Sequence, residues 1–111
     1  RHVIVCGHYG CGGVVAATDN RRHGLIDHWL EPIRDTARAH ATELDAVEDA
    51  VARIDRLCEL SVIAQVKRVA ETPIVLDAWN RGQDLTVFGL VYSLEDGLLR
   101  DLRCERSSPR A

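Results

Sequence analysis

No uninterrupted hydrophobic run in these 111 residues approaches the roughly 20 that a membrane-spanning helix requires. Positive charge is not in excess either. Fourteen Lys and Arg stand against 17 Asp and Glu, a formal net charge of −3 with His neutral. That balance argues against a nucleic-acid groove or a cationic membrane-binding surface. There is no internal repeat, no low-complexity segment and no Cys-x-x-Cys pair. Cys6 and Cys11 are the wrong distance apart for that redox signature, so a thiol redox protein ranks low. Four cysteines could make two disulfides in a secreted protein. Here one lies in a His-x-x-Cys turn and another, Cys58, within an apolar helical pattern, which suits reduced thiols and a cytoplasmic protein better. What remains is a hydrophobic fraction of 46% beside 28% charged residues, enough for a packed core under a solvated surface, in one domain at most.

The stretch with most chemistry in it is Val3-Ile4-Val5-Cys6-Gly7-His8-Tyr9-Gly10-Cys11-Gly12-Gly13. The β-branched residues 3–5 predict a buried strand ending at Cys6-Gly7. A glycine-bracketed turn follows, and a helix-compatible run begins at Val14. In open parallel α/β sheets, ligands bind beyond the carboxyl ends of strands, which is where this turn falls. His8 and Cys11 are three residues apart, so one tight turn brings imidazole and thiol to one side. Both are good zinc ligands. Glycines allow positive φ and close backbone approach, and the free N–H groups of a helix start favour an anionic ligand. The same string also reads as a tight turn with an incidental His and Cys, because His-x-x-Cys alone is a weak signal.

Along the rest of the chain, the helix begun at Val14 is expected to stop near Asp19-Asn20, with a polar loop over 20–24. Leu25, Ile26, Trp29, Leu30 and Ile33 then follow helical spacing, and Pro32 predicts a break or kink near Leu30. His23, His28 and His40 read as solvated or interface side chains. From Leu44 the steps Val47, Val51, Ile54, Cys58, Val62, Val66 and Val69 predict one long helix, with Cys58 as a packed thiol. Glu43, Asp45, Glu48 and Asp49 read as its solvated face. Thr72-Pro73 offers an N-cap and a first-turn proline for a short helix closed by Gly82, with a strand over 74–76 as the alternative. Residues 85–92 are apolar at successive positions, as in a strand covered on both faces. An Asp-Gly turn then returns the chain as a second strand over 98–102, before a polar tail expected to fray.

The string from His2 to Val14 resembles the second zinc motif of the β-class carbonic anhydrases, the bacterial type most of all. The likeness continues in order through Gly24-Leu25-Ile26-Asp27-His28-Trp29-Leu30, Ile33-Arg34-Asp35, Leu57-Cys58-Glu59-Leu60 with Val62 and Gln65, Ala78-Trp79 with Arg81-Gly82-Gln83, and Gly97-Leu98-Leu99-Arg100-Asp101-Leu102. Ser61 stands where the family usually has Asn, and Phe88 where close relatives often have His. The family's first motif, Cys-x-Asp-x-Arg, occurs nowhere in these residues. The resemblance therefore implies residues 1–102 as the C-terminal portion of a single domain, with 103–111 as a polar tail. The fold expected is α/β: a partial, mainly parallel sheet with flanking helices and a C-terminal hairpin-like strand pair.

The function it implies is zinc-dependent, reversible hydration of carbon dioxide to bicarbonate and a proton. Zinc lowers the pKa of its bound water to about 7 and so provides a hydroxide nucleophile. His8 and Cys11 would be zinc ligands, and the Gly12 N–H would face the substrate pocket. A third ligand and the Asp–Arg pair would come from elsewhere, since catalytic zinc usually has three protein ligands and an open position. Tyr92 matches a tyrosine that helps hold a non-catalytic, regulatory bicarbonate in one branch of the family; it reads equally as an ordinary sheet tyrosine. The family assembles as homodimers or homotetramers. The alternative is a catalytically inactive relative serving as a structural or assembly subunit.

Overall fold

The computed structural model describes residues 1–19 and 21–109. In chain order these form β1 (His2–His8), α1 (Gly12–Thr18), a 3-10 turn (Gly24–Ile26), α2 (Asp27–Ala39), α3 (Ala41–Asp45), α4 (Ala50–Ala70), α5 (Pro73–Asn80), β2 (Thr86–Tyr92) and β3 (Leu99–Asp101). Asn20, inside the expected loop over 20–24, and the last two residues of the expected tail lie outside the described residues.

The strands form one sheet in the order β1-β2-β3. β1 and β2 pair in parallel from His2 opposite Thr86 to His8 opposite Tyr92. β3 returns antiparallel, with Tyr92 opposite Leu99, as the Asp-Gly turn predicts. Parallel neighbours need a long crossover, and the helices between β1 and β2 provide it. The expected fraying does not begin at residue 103. Val87 and Arg106 exchange both backbone hydrogen bonds, at 2.8 and 2.9 Å, and Cys104 packs half-buried against the core.

The core lies on one side of this sheet. Val87 and Val91 of β2 are fully buried against Val62, Val66 and Ala70 of α4 and Val75 and Trp79 of α5. A second cluster joins Val14, Leu44, Leu57, Cys58 and Leu60. The other face is not covered by any described helix: His2, Ile4, Cys6 and His8 are exposed, and Phe88, Leu90 and Tyr92 are half-buried. A strand apolar at successive positions thus has one buried face here, rather than the two expected.

Two helix expectations are also corrected. Pro32 lies inside α2 without ending it; the preceding 3-10 turn already winds the chain, and Thr36 Oγ1 donates to the Pro32 carbonyl at 2.9 Å one turn later. The carbonyl that Pro32 leaves without a donor belongs to His28, an exposed residue that water can serve. The helix expected over 44–69 is two helices. Asp49 caps α4, accepting from the Ala52 N–H at 2.9 Å, while the Arg53 guanidinium donates to the Leu44 carbonyl in the last turn of α3, which also accepts from the Val47 N–H, and to the Val47 carbonyl in the link between the helices. Val51, placed by the break in the first turn of α4, is exposed. At the other end Thr72 caps α5 through the Val75 N–H, and Gly82 closes it at φ +78°. The helix reading of 74–76 holds.

The sheet rests on α4 very closely at two glycines. A Cβ on Gly7 would lie 2.6 Å from Val62 Cγ2, and one on Gly89 would lie 2.6 Å from Cys104 Sγ and 2.9 Å from Val66 Cγ2. Such contacts are far inside van der Waals range, so a side chain here must push strand and helix apart. Gly89→Ala should therefore destabilise the fold by about 1–3 kcal/mol in urea or thermal unfolding. Adding Cys104→Ala should recover part of the loss, and an unchanged midpoint in Gly89→Ala would refute the close approach.

Candidate metal centre

His8 is the last residue of β1 and Cys11 is the N-cap of α1, so the two proposed donors bracket the turn at the carboxyl end of the first strand. The left-handed residue of the turn is Gly10, at φ +68°, rather than Gly12 or Gly13, which are already helical. The Tyr9 N–H donates to the Tyr92 carbonyl at 3.1 Å and carries the ladder one step past His8. His8 Nδ1 lies 2.9 Å from the Tyr9 carbonyl. A carbonyl can only accept, so Nδ1 carries the proton and Nε2 keeps its lone pair for a metal. Cys11 is half-buried and makes no capping hydrogen bond through its thiol. The Gly12 position is open, since a Cβ there would meet nothing within 4 Å.

Helix α4 supports this turn from below. Asp55, Cys58, Glu59 and Val62, spaced at i, i+3, i+4 and i+7, share one face of it. Val62 meets Gly7, and Glu59 Oε2 accepts from the Tyr9 hydroxyl at 2.5 Å. Burial pushes the Cys58 thiol up, against the opposing pull of the Cys11 and Gly10 N–H groups. Burial also raises the Asp55 carboxyl, and Glu95 adds to the rise; the Gly10 N–H draws it the other way. Burial and the bond to Glu59 raise the Tyr9 phenol in turn.

The donor chemistry fits zinc, but the set is incomplete. Among the described residues no group of three or more His, Cys, Asp and Glu side chains is placed to hold a metal. Cys58 is buried as a packed thiol beneath the turn and does not complete it. A groove of about 570 Å3 between α1, α2 and α4 includes neither His8 nor Cys11; of the arginines lining it, Arg34 and Arg38 are paired with Asp27, Glu31 and Asp35. His28 is exposed, as expected. His23 is not simply solvated, because its Nε2 lies 2.9 Å from Asp19 Oδ1. Tyr92 ends β2 half-buried, with its hydroxyl turned over its own hairpin, 3.8 Å from where a Gly97 Cβ would sit. Sequence reasoning missed Asp55, Glu59 and Tyr9. Polar side chains embedded in the apolar stripe of a long helix were the available signal.

With this geometry in hand, comparison places the chain. The carbonic anhydrase family profile matches residues 1–99. A carbonic anhydrase of Emericella nidulans is 44% identical over 105 residues, covering 95% of this chain and 46% of the relative. One of two tetrameric β-carbonic anhydrases of Sordaria macrospora superposes with a TM-score of 0.87 at 34% identity, over 96% of this chain and 54% of that one. The Coccomyxa β-carbonic anhydrase in complex with acetazolamide gives 0.90 at 35% identity, over 97% and 49%. The chain belongs to the β-carbonic anhydrase family. It spans about half the length of these relatives, and the likeness reaches fungal members as well as the bacterial type.

The Asp55 carboxyl gives a pH prediction. Its folded-state pKa lies above the ordinary value, so the folded protein holds this proton more tightly than the unfolded chain. Its contribution is thus favourable at low pH and is lost as pH rises through the folded value. Asp55→Asn should raise the melting temperature at pH 7, and the gain should vanish towards pH 3. A lower melting temperature at pH 7 would show that the Gly10 contact outweighs desolvation.

Proposed function

We propose that this chain is the C-terminal portion of a zinc-dependent carbonic anhydrase, with residues 1–102 as part of one domain and 103–111 as a polar extension. The reaction is the reversible hydration of carbon dioxide to bicarbonate and a proton. The observation that carries the reading is the His8 imidazole at the end of β1. Its Nδ1 is engaged by the Tyr9 carbonyl, its Nε2 is free, and Cys11 stands at the start of the next helix. Family membership gives that pair its chemical meaning.

In this reading His8 Nε2 and the Cys11 thiolate hold zinc, with a third ligand and an Asp–Arg pair supplied from outside these residues. When bound, zinc supplies the Lewis acidity that lets water give up a proton near neutral pH. The chain's own part is to fix the two donors at the strand end and leave space above Gly12, whose N–H would meet substrate oxygen. Tyr92 is proposed as one contact of a regulatory bicarbonate. We infer a homodimer or homotetramer, since the Sordaria macrospora relatives are tetrameric and this chain exposes Leu25 and Trp29 at 84% and 80%. Four free thiols agree with a cytoplasmic setting, and no described helix is long and apolar enough to cross a membrane.

Native mass spectrometry of the full-length protein, paired with a carbon dioxide hydration assay, tests this directly. One zinc per site and activity are expected in the wild type. His8→Ala and Cys11→Ser should lose both, while Cys58→Ser and Cys104→Ser should keep the metal. Full zinc occupancy in Cys11→Ser would remove Cys11 from the ligand set. A folded, zinc-free and inactive wild type would instead favour a structural or assembly subunit.

A further inference from the structure

The turn that carries His8 is tied to the protein through one neighbouring side chain. Tyr9 packs against both hydrophobic clusters, and its backbone holds two further roles: its N–H extends the β1–β2 ladder and its carbonyl receives His8 Nδ1. Its hydroxyl donates to Glu59 Oε2 at 2.5 Å, fifty residues along the chain. Glu59 is not free to move. Its other oxygen accepts from Arg56 at 2.9 Å, and Arg56 in turn donates to Glu43 at 2.5 Å. Arg100 sits over the opposite side of the system, its guanidinium carbon 5.5 Å from the Tyr9 ring centroid. The phenol is therefore gripped at its edge by an anchored carboxylate and on its face by a cation.

We propose that Glu59 is a positioning residue for His8: through the Tyr9 hydroxyl it fixes the Tyr9 backbone, and with it the imidazole tautomer and the direction of Nε2. The physical argument is one of lever length. The contact between His8 Nδ1 and the carbonyl of the very next residue depends on the peptide plane between Tyr9 and Gly10. Gly10, in the left-handed region, leaves that plane soft on its far side. Ladder pairing constrains the near side only, through the Tyr9 N–H. The side chain of Tyr9 is the remaining handle, and Glu59 holds its end. Outer-shell partners of this kind set both the tautomer and the basicity of a metal-bound imidazole. The inference rests on His8 being a metal ligand, as proposed above, but it can be tested apart from that.

The test uses the full-length protein and two readouts. In zinc-free protein, the nitrogen-15 shifts of the His8 imidazole report the tautomer. Nδ1–H is expected in the wild type, with a shift towards mixed tautomers in Tyr9→Phe and Glu59→Ala. In zinc titrations against a competing chelator, the same two variants should bind about tenfold to a hundredfold more weakly. Glu59→Gln keeps an acceptor for the Tyr9 hydroxyl and should retain most of the wild-type affinity, which a merely structural loss would not predict. It also serves if Tyr9→Phe fails to fold. Unchanged zinc affinity and an unchanged tautomer in Glu59→Ala would overturn the proposal, as would Glu59→Gln binding as weakly as Glu59→Ala. If the wild type itself holds no zinc, the metal assignment fails, and the tautomer readout decides on the positioning alone.

Discussion

The close seating of α4 under the β1–β2 pair is the constraint on which the other features depend. Gly7 and Gly89 remove the side chains that would stand between sheet and helix, and Val62 and Val66 fill that space. Val66, Val87 and Val91 are almost wholly excluded from water as a result. Each such valine contributes about 1.5–3 kcal/mol by burial, so a small separation of the layers would be felt in stability at once. It would be felt at the turn as well. Asp55, Cys58 and Glu59 lie on the same helix, one and two turns before Val62, and their height under His8–Cys11 is set by that contact.

Two arginines in this chain reach from one element to another. Arg53 spans from α4 to the carbonyls of Leu44 at the end of α3 and Val47 in the link after it, where the chain bends although apolar spacing alone would run straight. Arg34 reaches from α2 to the Ala17 carbonyl of α1 while pairing with Asp27 and Glu31. Half-exposed pairs of this kind contribute little energy individually. Their effect is angular: each arginine satisfies a helix end and fixes how two helices meet.

These facts explain what could be read from the sequence and what could not. Elements with local causes were legible: the β-branched run of β1, the Thr72-Pro73 start of α5 with Gly82 at its close, and the Asp-Gly hairpin. The pair proposed as donors, His8 and Cys11, was nameable from the sequence too, because its chemistry lies within one turn. Breaks with tertiary causes were not. The split at 46–49 depends on Arg53 folding back, and apolar periodicity continues across it regardless. Pro32 carried a strong local signal that its context overrode, since the 3-10 turn and α2 form one winding segment. The pinning of Arg106 to Val87 needs the strand already in place, so a polar tail reads as loose until the sheet is known.

The candidate centre divides along the same line. A match to His-x-x-Cys supplies two donor types and nothing about their orientation; many tight turns could carry the same four residues. Orientation is supplied by groups outside the proposed donor pair. The Tyr9 carbonyl selects which imidazole nitrogen carries the proton, and Asp55, Cys58 and Glu59 meet the turn from a helix some fifty residues further on. The likeness of Leu57-Cys58-Glu59-Leu60 to the family is therefore worth more than its plain composition suggests. It preserves the bed on which the donors lie. A chain that kept His8 and Cys11 but lost Gly7 or Glu59 would keep the motif and lose the geometry that gives it a use.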